Sequence, residues 1–217
     1  MDTCGCDQGF EIFDAKTAAS DLTRYRRDGP DHTTGMLIDM IRSVGLRNAT
    51  LLDIGAGIGV IDHELLDDVA DHAVLVDASV PALDAARDEW RRRGHLDRLA
   101  FIDGDFVAQA DAIDRAQVVT LDRVVCCYAD VATLVRMSAS RARTLYGLVL
   151  PRDRSTIRLG LRLLNVWFRL RGLAYRSYAH SNEVVDSLVA DAGLRVRMEA
   201  GTYFWRVVLY DRPETTT

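Results

Sequence analysis

Lysine is almost missing from this chain: Lys16 is the only one among its 27 basic residues. No basic tract of the kind that follows a phosphate backbone stands out, and the net charge is −5, so nucleic acid is not an expected partner. No stretch approaches the ~20 uninterrupted apolar residues that a membrane-spanning helix needs. The opening residues 1–10 (MDTCGCDQGF) have neither a basic start nor an apolar run, which predicts no secretory signal. Four cysteines, Cys4, Cys6, Cys126 and Cys127, make no disulfide framework, and a reduced, cytoplasmic setting fits them best. Cys4 and Cys6 lack a matching Cys/His pair at zinc-ligand spacing, so no metal is expected. The four prolines are scattered, and neither an internal repeat nor a low-complexity linker appears.

What is present fits one domain. The 217 residues are 48% hydrophobic, too apolar for a disordered chain and enough for a substantial core. Residues 15–27 and 34–44 carry helical periodicity, the second with Thr33 or Thr34 as N-cap. Short apolar runs follow at 50–54, 73–76, 99–102, 117–125 and 144–150, separated by helical stretches near 60–69, 81–93, 108–115 and 130–142. Runs apolar on both faces and joined by helices are what a parallel sheet covered on two sides requires. The chain ends differently. Residues 194–199 and 203–210 read as strands joined by Ala200, Gly201 and Thr202, a connection short enough only for an antiparallel hairpin. The expected fold is α/β: a Rossmann-like, seven-stranded mixed sheet of five parallel strands plus a C-terminal hairpin, with helices on both faces. Within a single domain spanning 1–217, residues 1–45 form an N-terminal helical arm and 46–151 a cofactor-binding core. Residues 152–180 form a helical cap insertion, and 181–217 a helix and the hairpin.

The strongest motif runs from Leu51 to Val60, where a strand feeds a glycine turn and then a helix. Gly55 and Gly57 let the backbone turn sharply and approach a ligand, and Ala56 between them adds little bulk. A dinucleotide fingerprint would place a third glycine at position 60, which is Val60; the glycine falls instead at Gly59. The Val60 mismatch and the terminal hairpin argue against a nicotinamide-dependent oxidoreductase. Further acids end further strands. Asp77, followed by Ala78, is placed to accept hydrogen bonds from ribose hydroxyls. Gly104, Asp105 and Phe106 end the third strand, with Asp105 for an adenine amino group and Phe106 for its ring. Asp122 and Arg123 mark the fourth. All sit at carboxyl ends of strands, where open α/β sheets bind ligands.

Asp53 two residues ahead of Gly-x-Gly-x-Gly resembles motif I of class I methyltransferases. The resemblance implies S-adenosylmethionine as cofactor, with Asp53 and the glycine turn at its methionine end. A closer likeness spans most of the chain. Residues 121–128 (LDRVVCCY), residues 145–153 with Pro151 and Arg152, and Tyr178 with His180 are similar to the motif order of the magnesium-protoporphyrin IX O-methyltransferase family, with Cys127 where that family has histidine. Tyr25 and Arg26 resemble its helical arm over the cofactor.

Those likenesses imply methyl transfer to a small or medium-sized organic acceptor, through oxygen or nitrogen. A carboxylate acceptor needs no base; a phenol or amine would use one, and His180 is the first candidate. Tyr128 and Asp130 follow the fourth strand, where they would position the acceptor, and Arg152 and Arg154 would hold an acidic group. In the insertion, Leu163, Trp167 and Leu170 belong to a wide apolar surface with a narrow arginine stripe. That surface predicts a cap turned toward substrate or toward a second copy, making a homodimer a further expectation. The alternative to an enzyme is a catalytically silent subunit that only binds the cofactor.

Overall fold

The computed structural model describes residues 14–213. Seven strands form one sheet: β1 (Ala49–Ile54), β2 (Ala70–Asp77), β3 (Leu99–Asp103), β4 (Ala116–Asp122), β5 (Ala142–Pro151), β6 (Arg195–Gly201) and β7 (Trp205–Asp211). Their order is β3-β2-β1-β4-β5-β7-β6. The first five pair in parallel, and β7 runs antiparallel to both β5 and β6. This is the seven-stranded mixed sheet expected. The hairpin connection lies at 202–204, slightly later than its composition suggests, because Thr202 closes the turn by donating its N–H to the Trp205 carbonyl at 2.8 Å.

Side-chain alternation along the strands feeds two cores. Leu51, Leu75, Val118, Leu145 and Val207 pack on one face, beneath α2 (His32–Ser43), α3 (Val60–Leu65) and α4 (Val80–Arg93). Leu52, Ile54, Val119, Leu121 and Leu148 pack on the other, beneath α5 (Phe106–Gln109), α6 (Val131–Arg141) and α8 (Asn182–Asp191). Helix α1 (Ala15–Asp28) lies on α4. Buried Glu89 of α4 ties the two together, accepting from Arg26 of α1 and from Arg92 and Arg93. Burial opposes its charge, yet the three guanidiniums hold Glu89 well below the usual carboxylate range.

Two local expectations change. Helix α2 is capped by Asp31, whose carboxylate accepts from the N–H groups of both Thr33 and Thr34. The insertion is one helix, α7 (Ser155–Leu170), followed by a non-helical return through 173–180. Asn165 clamps that return by donating to the Ser177 carbonyl at 2.7 Å and accepting from the Ser177 N–H at 2.9 Å. Cys4 and Cys6 lie outside the described residues. Among those described, no helix is long and apolar enough to cross a membrane.

Candidate active site

The chain runs β1, β2, β3 outward in one direction, then returns to place β4 and β5 on the other side of β1. At that switch point the carboxyl ends of β1 and β4 diverge and leave room for a ligand. A cavity of about 550 Å³ opens there. Its size falls within the range of small-molecule sites.

One end is built from strand-end turns. Gly55 has φ +69°, and a Cβ on it would stand 2.2 Å from a methyl of Val124, so the turn after β1 closes only with glycine. Gly57 has φ +56°, and nothing lies within 4 Å of where its Cβ would point. That open approach is the space a ligand backed onto the turn would fill. Asp77 at the end of β2 bridges two loops, accepting from the Gly57 N–H and the Ser79 N–H, each at 2.7 Å. A carboxylate offers about four lone-pair sites, so both oxygens keep capacity for hydroxyl donors. Burial pushes the Asp77 carboxyl up, and the two amide bonds oppose it. Ala78, Gly104, Asp105 and Phe106 line the same end. Asp105 accepts from the Tyr128 hydroxyl at 2.9 Å and from the Val107 N–H at 3.1 Å.

Asp122 and Arg123 also reach the cavity, within a network that anchors the N-terminal helices. Asp122 accepts from Thr34 at 2.5 Å and pairs with Arg123 at 3.0 Å, while Arg123 also pairs with Asp31. Arg123 has φ +62°, an uncommon conformation for a side-chain-bearing residue, held here by Asp122, Asp31 and the Thr34 hydroxyl at 3.1 Å.

The other end is apolar. Leu161 and Leu164 of α7, Cys126, Cys127 and Tyr175 form it, with Phe204 and Trp205 from the terminal hairpin. The Cys127 sulfur lies 3.0 Å from the Tyr175 hydroxyl. Neither Cys127 nor Tyr175 was marked by composition or spacing as a site residue; only the structure brings the return after α7 against the turn after β4.

Several expected site residues stand elsewhere. Tyr25 is turned away from the cavity: its ring stacks on His63 at 5.5 Å and its hydroxyl donates to Glu64 at 3.0 Å. Thr17, Ala18, Asp21 and Arg24 supply the α1 contribution to the lining instead. Alternation in β1 sends Asp53 toward α3, where it accepts from Thr120 at 2.6 Å and faces Asp62. Burial, and then the neighbouring carboxyl, raise Asp53 well above its ordinary value; burial pushes Asp62 up to about 7. Ala56 packs into the core beside the turn. Arg152 is committed to the hairpin, donating to the carbonyls of Thr202 and Ala200 and pairing with Glu199 at 3.3 Å. Asp130 is the N-cap of α6. His180 sits behind the turn, its Nε2 2.9 Å from the Tyr128 carbonyl, and burial lowers its pKa. Trp167 is 46% exposed, on the side of α7 away from Leu161.

The profile of the methyltransferase small domain family matches residues 17–126, half of the chain. The chain belongs to that family. Its fold and family are those of S-adenosylmethionine-dependent methyltransferases. A ribosomal protein L11 methyltransferase of Photorhabdus laumondii is 32% identical over 71 residues, a match spanning 33% of this chain and 24% of that protein. Magnesium protoporphyrin IX methyltransferase of Synechocystis, solved with bound S-adenosylhomocysteine, superposes with a TM-score of 0.69 at 17% identity, covering 93% of this chain and 99% of that one. An O-methyltransferase family 2 protein of Planctomyces limnophilus, solved with apigenin, gives 0.68 at 18% identity, over 93% of this chain and 62% of that one. At such identities the likeness is one of fold.

Proposed function

We infer that this chain methylates a small or medium-sized organic acceptor with a hydrophobic body, using S-adenosylmethionine held at the strand-end half of the cavity. One observation carries the reading: a single cavity joins a glycine turn and strand-end acids to an apolar wall formed by Leu161, Leu164 and Cys127. The cofactor supplies an activated methyl group on sulfur. Asp77 would take the ribose hydroxyls with its spare lone pairs, Gly57 would leave room for the methionine part, and Phe106 would pack on the adenine. Asp105 holds the Tyr128 hydroxyl and would accept from the adenine amino group with what remains.

The acceptor would lie against Cys127, Tyr175, Leu161 and Leu164, a surface that excludes water from the displacement. His180 holds the Val125–Cys127 turn rather than facing that space, which favours acceptors that carry their own negative charge, such as carboxylates or acidic phenols. The magnesium-protoporphyrin enzyme and the apigenin-bound protein both have fold-level likeness to this chain, and both are named with a large ring-bearing molecule, which supports a panel of aromatic compounds. The test has two steps. S-adenosylhomocysteine should bind the purified chain by calorimetry. Methyl-labelled S-adenosylmethionine should then pass its label to members of a panel of aromatic carboxylic acids and phenols. Binding without transfer to any of them would favour a silent cofactor-binding subunit; failure to bind would remove the reading altogether.

A further inference from the structure

Ten large apolar side chains stand exposed among the described residues, and six of them lie on α7: Leu159, Leu163, Leu164, Val166, Trp167 and Leu170. The helix presents three stripes. Ile157 and Leu161 face inward and are buried. Arg158, Arg162 and Arg169 follow on one flank, and Leu159, Leu163, Val166 and Leu170 form the outward side. Leu170 is 81% exposed and Leu163 63%. Trp167 borders the apolar stripe, with the Arg171 guanidinium 5.0 Å from its ring.

Charge identifies what covers this face. The whole chain carries −5, whereas residues 152–176 hold seven arginines against one acid, Asp153, a local +6. Asp153 pairs with Arg158 at 3.2 Å. Arg162 and Arg169 make no ion pair among the described residues, and no acid occurs between Ser155 and Arg171. A second copy docking antiparallel on the apolar stripe would set one arginine flank beside the other with no acid to separate them. An anionic lipid surface meets both demands, because leucines enter the acyl boundary while flanking arginines reach phosphates and tryptophan sits at the headgroup level.

The geometry points to α7 as an interfacial helix that docks this protein on an anionic membrane leaflet. The residues used are not those lining the cavity, apart from Leu164 at its border, and the docking stands whether or not the acceptor is a lipid. Seated this way, the helix whose Leu161 lines the acceptor end would lie along the interface, so an acceptor dissolved in the membrane would be presented next to its wall.

Flotation of the full chain with phosphatidylcholine vesicles, with and without phosphatidylglycerol, tests this. The protein should float with the anionic vesicles, less so as salt rises, and its emission should shift to the blue in a way that Trp167→Phe removes. Arg162→Gln with Arg169→Gln should weaken binding about tenfold or more, since each interfacial cation contributes about fivefold. Leu163→Glu with Leu170→Glu should abolish it, with S-adenosylhomocysteine affinity and melting temperature unchanged as proof of folding. Three results would overturn the proposal: no flotation of the wild-type chain with anionic vesicles, equal flotation with neutral ones, or a dimer in sedimentation equilibrium that the paired glutamates break. None of these readouts requires methyl transfer.

Discussion

The two ends of the cavity are held in different ways. At the glycine-turn end, backbone amides fix the ligand-facing groups: Asp77 is gripped by the N–H groups of Gly57 and Ser79, and Asp105 by that of Val107. At the α7 end, side chains do the holding. Asn165 clamps the return at Ser177 and the Cys127–Tyr175 contact closes the wall, beside one backbone bond from the Tyr178 N–H to the Cys126 carbonyl at 2.7 Å. Backbone fixing tolerates sequence change around it and preserves one ligand geometry. Side-chain fixing lets the wall be rebuilt residue by residue, which suits the end where acceptors would differ.

That contrast breaks most visibly at Gly57. Gly57→Val should lower S-adenosylhomocysteine affinity by about a hundredfold or more, because the added side chain projects into the open space against the turn. The fold should survive, since a valine at φ +56° costs only about 1–3 kcal/mol. Calorimetry with a melting curve reads both, and normal affinity in the folded variant would show that the turn is not the cradle. Asp77→Ala comes next. It should cost about 1.5–3 kcal/mol of binding, the range for hydrogen bonds to a charged acceptor. A larger loss accompanied by a lowered melting temperature would mean that Asp77 acts mainly as the loop bridge.

The same division explains what was legible in the sequence. Strand ends announce themselves: the apolar runs fix the sheet, and glycine or aspartate at their carboxyl ends fixes where Gly57, Asp77 and Asp105 stand. Side-chain direction is harder. The family resemblance places Tyr25 over the cofactor, but it follows Arg24 by one residue and is turned about 100° around the helix, into the stack with His63 and Trp90. Asp53 follows the strand alternation away from the cavity to meet Asp62, 67 residues from the Thr120 that donates to it. Asp130 has a local partner, the helix N-terminus that it caps, whereas Arg152 is satisfied by the hairpin 47 to 50 residues further on, again without any substrate. The acceptor wall depends on contacts such as Cys127 with Tyr175, 48 residues apart, for which no short-range pattern exists.

Beneath the glycine turn lies a cost that the α7 end does not share. Asp62 is fully buried and its carboxyl is pushed up to about 7, while Asp53 beside it is raised as well. A carboxyl raised in the folded state binds its proton more tightly there than in the unfolded chain. Its contribution to stability is therefore present below about pH 4 and lost as pH climbs through about 7. His63 acts in the opposite sense. Burial lowers it to about 3, so the unfolded chain takes up a proton first and stability falls as pH drops from about 6.5 toward 3. Asp62→Asn removes the first effect and gives Asp53 an amide donor. It should stabilise the protein by about 1–2 kcal/mol at pH 8 in urea unfolding, with the gain shrinking toward pH 5. A gain independent of pH would mean the carboxyl pair is not the source.

The smallest effect is expected at the α7 end, and it sharpens the contrast more than the larger ones do. Asn165 makes two hydrogen bonds to the backbone of Ser177, tying the middle of α7 to its return beside the Phe168–Tyr175 ring contact at 5.5 Å. Asn165→Ala leaves a half-buried N–H and carbonyl of Ser177 without that partner, at a cost of about 1 kcal/mol because water can reach part of the site. Nothing in the glycine turn or around Asp77 touches Asn165, so S-adenosylhomocysteine affinity should stay within about twofold of the wild type. The return carrying Tyr175 should loosen instead, and with it the wall behind Cys127. Once an acceptor is found, its KM should rise several-fold with kcat less affected, since a looser wall weakens acceptor binding before it disturbs the methyl donor. Faster amide exchange at Ser177 and Tyr178, with unchanged exchange at Gly57 and Ser79, would place the effect at this end. Equal loosening at both would mean that the cavity is one mechanical unit and that the two ends are not held independently.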